Sequence, residues 1–94
     1  MKTESELIAD INAIVAKYVT NFTTTVISRK TSTVSSLDTT IAVIFQDGNI
    51  TNLMLQDLVD YVSQNDRNSL MIETKKDIGN LDFEVVLLSA EVFY

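Results

Sequence analysis

Asp57 and Asp60 stand three residues apart, and Glu73 falls where it would face Asp82 or Glu84 across a hairpin. These carboxylates are the candidates for acid–base chemistry. Such work needs one carboxyl pushed toward neutrality, by burial or by a second carboxylate beside it. Each of these acids falls where an outward polar face is expected, so the pairs read as solvated surface. The chain has no histidine to serve as a base near neutral pH, and no cysteine to serve as a thiolate nucleophile or zinc ligand. No lysine has a serine three residues before it, which removes the Ser-x-x-Lys arrangement.

Other ligand-binding patterns fail on single positions. Gly48 and Gly79 stand alone, so no glycine-rich phosphate loop can be drawn. Asp47-Gly48-Asn49-Ile50-Thr51-Asn52 begins like a calcium loop, but position six is Asn52 instead of glycine and position twelve is Leu58 instead of glutamate. A polar turn leading into a helix explains it better. The basic doublets Arg29-Lys30 and Lys75-Lys76 both fall near strand ends and could meet on one edge or face of a sheet. A nucleic-acid reader would interleave aromatics with them. The nearest aromatic, Phe22, closes a helical stripe instead, and the net charge of −6 repels phosphate. The expectation is a non-enzymatic protein with no catalytic residue, no cofactor and no metal, and the sequence argues against nucleic acid as a partner.

The chain that carries these residues has 94 positions, 46% of them apolar and 21% charged, which suits one globular domain over 1–94. Met1-Lys2-Thr3-Glu4-Ser5-Glu6 lacks the layout of a signal peptide, and no stretch reaches the length of a membrane span. A cytoplasmic location is therefore expected, with no membrane partner. Asn21-Phe22-Thr23 and Asn49-Ile50-Thr51 match the glycosylation pattern, but without a secretion signal both read as chance.

The first positioning element is a helix over about residues 4–20. Thr3 and Glu6 form a capping box, and Leu7, Ile8, Ile11, Ile14, Val15, Tyr18, Val19 and Phe22 draw one apolar stripe. Glu6, Asp10, Ala13 and Lys17 face the other way. The β-branched run Thr23–Ile27 suits a strand. Residues 31–36 read as a loop, with the tip of a long hairpin as the alternative. Thr39–Phe45 is the most strand-like run and stops at the turn Asp47-Gly48. Beyond it, Leu55, Leu58, Val59 and Val62 favour a helix over 52–64 capped by Thr51 or Asn52, in preference to a returning strand at Asn49–Met54. Leu70–Thr74, the turn Asp77–Asn80 and Leu81–Leu88 complete a hairpin. This order predicts an α+β domain: a two-layer sandwich in which a mostly antiparallel four-stranded sheet carries both helices on one face.

One feature stands out for function. Leu81–Tyr94 would run 14 residues as one strand, more than a small sheet is expected to pair. A long apolar edge calls for a cover. The expected interface is accordingly Leu88, Glu91, Val92, Phe93 and Tyr94, covered by a second copy or another protein; cover by the first helix of the same chain, or a bend near Ser89-Ala90 that tucks the aromatics into the monomer core, are the alternatives. The leading reading is a small acidic assembly subunit that self-associates through this strand. The alternative is an inhibitor or adaptor, by analogy with small phage-encoded inhibitors, docking on a host macromolecule through an acidic surface of Glu4, Glu6, Asp10, Asp57 and Asp60 that imitates nucleic-acid phosphates. A small ligand bound between subunits, with Tyr18 and Tyr61 stacking on it, is a third option.

Overall fold

The computed structural model describes residues 1–46, 50–64, 69–76 and 82–94, with the backbone alone at 69–76, 82 and 83. The expected turns at Asp47-Gly48 and Asp77–Asn80 fall outside these residues.

Helix α1 spans Glu4–Ala16 and starts as the sequence predicts. The Thr3 side chain accepts from the Glu6 backbone N–H, and the Glu6 carboxylate accepts from the Thr3 N–H, closing the capping box. Glu4 and Glu6 also place negative charge on the positive helix start. The helix ends four residues earlier than expected, because Thr20 and the β-branched run after it favour extended backbone. Tyr18 and Val19 stay packed on the core beyond the helix end.

Strands β1 (Phe22–Thr33) and β2 (Ser36–Phe45) form one long antiparallel hairpin whose register closes at Thr33↔Ser36. The loop expected over 31–36 is thus corrected and its alternative, the tip of a long hairpin, is what forms: strand on both sides, turned at Val34-Ser35. Hydroxyls satisfy one another there. Thr33 and Ser36 bond at 2.7 Å, Ser36 donates to the Glu91 carboxylate at 2.8 Å, and the Ser35 N–H donates to Thr33 Oγ1. A bulge shifts the register between Val26 and Ser28. Beyond it Arg29, not Lys30, stands opposite the buried Thr39 and so takes the core-side position.

Helix α2 spans Asn52–Val62, with Thr51 as its N-cap accepting from the Met54 N–H. This excludes the returning strand. Strand β3 (Ser69–Lys76) pairs antiparallel with β4 (Asp82–Phe93), which also pairs antiparallel with β2. The sheet order is β1-β2-β4-β3, and the domain is α+β with an antiparallel sheet.

The order corrects the reading of the last strand. β4 is an interior strand, bonded to β2 from Glu84 to Phe93 and to β3 from Asp82 to Ser89. At Phe93 the Lys2–Thr3 segment takes over, with Lys2 O accepting from the Phe93 N–H at 2.9 Å. The long strand is paired because three different segments share it.

Its alternate residues Val86, Leu88, Ala90 and Val92 join Ile41, Val43 and Phe45 of β2 in one core. Leu7, Ile11 and Val15 of α1, and Met54, Leu58 and Val62 of α2, complete it. Both helices bury one i, i+4, i+8 line, which is why two short helices suffice. On the reverse of the sheet, Ala42 opposes Leu87 and Ile44 opposes Val85. Ala42 and Val85 are buried there by their neighbours, while Ile44 and Leu87 are half-buried.

Candidate interaction surfaces

The acidic residues meet specific partners. Along the seam between the helices, Tyr61 of α2 donates its hydroxyl to Asp10 of α1 at 2.8 Å. Tyr18, just past α1, donates to Asp57 of α2. The two bonds run in opposite senses and tie the helices at two points. Lys2 pairs with Asp10, and Lys17 reaches Asp57 at 3.4 Å. At the start of α1, Arg29 grips Glu4 with two bonds of 2.8 and 2.9 Å, and Thr39 adds a third at 3.4 Å. This fork-to-carboxylate geometry depends on the bulge that turned Arg29 to the core side.

The electrostatics follow. Hydrogen bonding from Lys2, then from Tyr61, holds the Asp10 carboxyl below its usual range. Tyr18 does the same for Asp57, Arg29 for Glu4, and the Thr3 backbone for Glu6. Burial first, then the bond to Asp10, raises the Tyr61 hydroxyl, and Asp57 raises that of Tyr18. These four carboxyls are held ionised, the reverse of what a general acid requires.

The paired-carboxylate arrangements do not assemble. Asp57 turns toward the seam and stays partly exposed, while Asp60 accepts from Gln56 at 2.9 Å. In the hairpin register Glu73 stands opposite Val85; Glu84 opposes Thr74 and Asp82 opposes Lys76. Among the described residues no group of three or more metal-ligating side chains comes together. In the calcium-like stretch, Thr51 is occupied as a helix cap and Asn52 begins α2. The basic doublets do not meet either: Arg29-Lys30 lies on β1 and Lys75-Lys76 on β3, the two outer strands of the sheet.

All five residues of the expected acidic surface lie on the two helices, but Glu4, Asp10 and Asp57 are each in an ion pair. Of the five expected interface residues, Leu88 and Val92 are buried in the core, and Glu91 accepts from Ser36. Phe93 and Tyr94 are 43% and 65% exposed. Val34, in the hairpin turn at the same end of the sheet, is wholly exposed. Tyr94 N–H donates to Ser35 O at 3.2 Å, and its hydroxyl lies 3.3 Å from Thr31 Oγ1. Sequence reasoning missed Val34 because it assigned that stretch to a polar loop.

A second surface is the outer side of β1. Among the described residues no strand pairs with it. Phe22 and Val26 are half-buried against the core, and Thr24 donates to Asn12 of α1 at 2.6 Å. Thr23 and Thr25 are exposed, as is Ile27 in the bulge at 56%.

Comparison of the chain with known protein families, with curated proteins and with solved structures returns no match. No helix among the described residues is long and apolar enough to cross a membrane.

Proposed function

We propose that the protein is a small, acidic, non-catalytic protein–protein interaction domain, cytoplasmic, that associates with copies of itself as an assembly subunit. Its scaffold is a two-layer sandwich, four strands beneath two helices on one face. The observation that carries the reading is the exposure of Val34, Phe93 and Tyr94 at one end of the sheet. Single exposed apolar side chains are ordinary on a surface. Here a hairpin turn and a strand end, tied by the backbone bond from the Tyr94 N–H to Ser35 O, present an aliphatic and two aromatic side chains to water at the same end of the sheet. Aromatic residues on a rigid frame are typical of contact surfaces.

The acidic-docking alternative draws less support, since three of its five carboxylates already hold cations of this chain. A phosphate mimic needs its charge uncommitted.

Light scattering across micromolar concentrations tests the reading. The expected mass is above 10.5 kDa and falls on Val34→Glu, which places a charge at that end of the sheet without touching the core. A mass fixed at 10.5 kDa at every concentration overturns it.

A further inference from the structure

We infer that the outer edge of β1 pairs antiparallel with the same edge of a second copy, about a two-fold axis through Thr24, joining the two sheets into one. This rests on the self-association reading and gives it a second, separate contact.

Register chemistry selects both the occupant and the axis. Directly opposed residues of an antiparallel pair point to the same side of the sheet. Phe22 and Val26 stand opposite the core residues Phe45 and Ile41 of β2, so both are on the core side. An axis through Thr24 sets Phe22 against the partner's Val26, and Thr23 against the partner's Thr25. Both half-buried apolar side chains then gain an apolar neighbour. Moving the axis to Thr23 or Thr25 would set Phe22 or Val26 against the partner's Thr24 and lose that match. The segment Phe22–Val26 is therefore complementary to itself.

Charge and backbone agree. Natural edges are kept apart by charged side chains, proline and bulges. Phe22–Val26 contains no charge and no proline. The nearest cation, Arg29, is turned onto Glu4. The bulge at Ile27 ends the regular edge after five residues. It limits the pairing to one short match, which closes as a dimer. The other outer strand, β3, carries Glu73, Lys75 and Lys76 along its eight residues and has no such neutral window. A five-residue pairing buries less than the ~800 Å² per partner of a standard interface, so the contact belongs in the micromolar range.

The absence of cysteine makes cross-linking clean. Opposed residues come within disulfide reach, at roughly 4.5–5.5 Å between Cα atoms. Thr23→Cys and Thr25→Cys are both exposed positions, and an equimolar mixture under mild oxidation is expected to cross-link faster than either variant alone. In the Val34→Glu background, which puts a charge on the contact proposed at the hairpin end, light scattering should still show a monomer–dimer equilibrium. Adding Thr23→Lys with Thr25→Lys sets like charges opposite each other twice and should weaken that equilibrium about tenfold or more. Circular dichroism checks that the fold persists. If the unmodified chain stays at 10.5 kDa throughout, the self-association reading falls and this inference with it. If the unmodified chain associates, but Val34→Glu is a strict monomer and mixing gives no cross-linking advantage, the edge pairing is overturned and the reading stands.

Discussion

Replacing Tyr61 by phenylalanine removes one oxygen and leaves the ring in place, so it isolates the bond that ties α2 to Asp10. A hydrogen bond to a charged group contributes about 1.5–3 kcal/mol when well enclosed. The Asp10 side chain is 33% exposed, so water takes over part of that role. The expected cost is therefore about 1 kcal/mol at neutral pH. For a domain of this size that lowers Tm by roughly 4–8 °C. Urea unfolding of Tyr61→Phe, Asp10→Ala and the double variant gives the coupling between the two side chains directly. The pH dependence supplies a second check. Asp10 has its folded pKa lowered, so its share of stability is present above the carboxylate pKa of the unfolded chain, about 3.9, and disappears as pH falls through the lower folded value. Tyr61 has its folded pKa raised, so its share is complete below the unfolded tyrosine value of about 10 and fades as pH rises beyond it. The difference between Tyr61→Phe and the parent should thus be widest between these limits and shrink at either extreme. Additive single changes, with coupling under ~0.3 kcal/mol at pH 7, would refute the seam as a stabilising contact.

Leu58→Ala, at the buried centre of α2, should cost about 2–5 kcal/mol in urea unfolding, while Leu53→Ala on the exposed side of the same helix should cost almost nothing. Reversal of that order would put the helix in the wrong phase. Thr3→Ala opens the capping box and should lower stability by about 1 kcal/mol, with the loss reported by helical circular dichroism. Deleting Ile27 leaves the pairs Val26↔Ile41 and Ser28↔Thr40 in register while straightening β1. The fold should survive, and light scattering should show larger assemblies than the parent forms, because the edge has lost its interruption.

What the sequence disclosed was local. The capping box and the i, i+4 spacing of Leu7, Ile11 and Val15 express short-range geometry, and both helices formed where apolar stripes stood, although in α2 the stripe of Leu55, Leu58, Val59 and Val62 is shifted: Met54 is buried and Val59 is exposed. The hydroxyl-rich stretch 31–36 left loop and hairpin tip both open because serine and threonine suit loops and paired strands alike. In the fold Ser36 donates to Glu91, 55 positions away along the chain, a partner that local composition does not announce. Asp57 has the spacing of a water-facing residue on its own helix. Its partner Tyr18 arrives from a segment 39 positions away, and helical periodicity carries no trace of it. The bulge leaves no mark in the sequence either, since Ile27 looks like any other strand residue. For β4, a list of strands in chain order says nothing of their order in space. Its length signalled something unusual, and the unusual thing was the number of segments that share it.

That sharing has a consequence for how the domain comes into being. The hairpin of β1 and β2 can close early, but the inner side of β2 has to wait for residues 84–93, made after all of α2 and β3. During synthesis a growing chain therefore presents Ile41–Phe45 with one apolar edge unpaired, and α1 lacks the β4 residues of the core it packs into. Contacts between segments so far apart in the chain form slowly, after long loops have closed. Truncation ahead of residue 84 should leave no smaller version of the domain, only a chain whose stickiest strand has lost its neighbour.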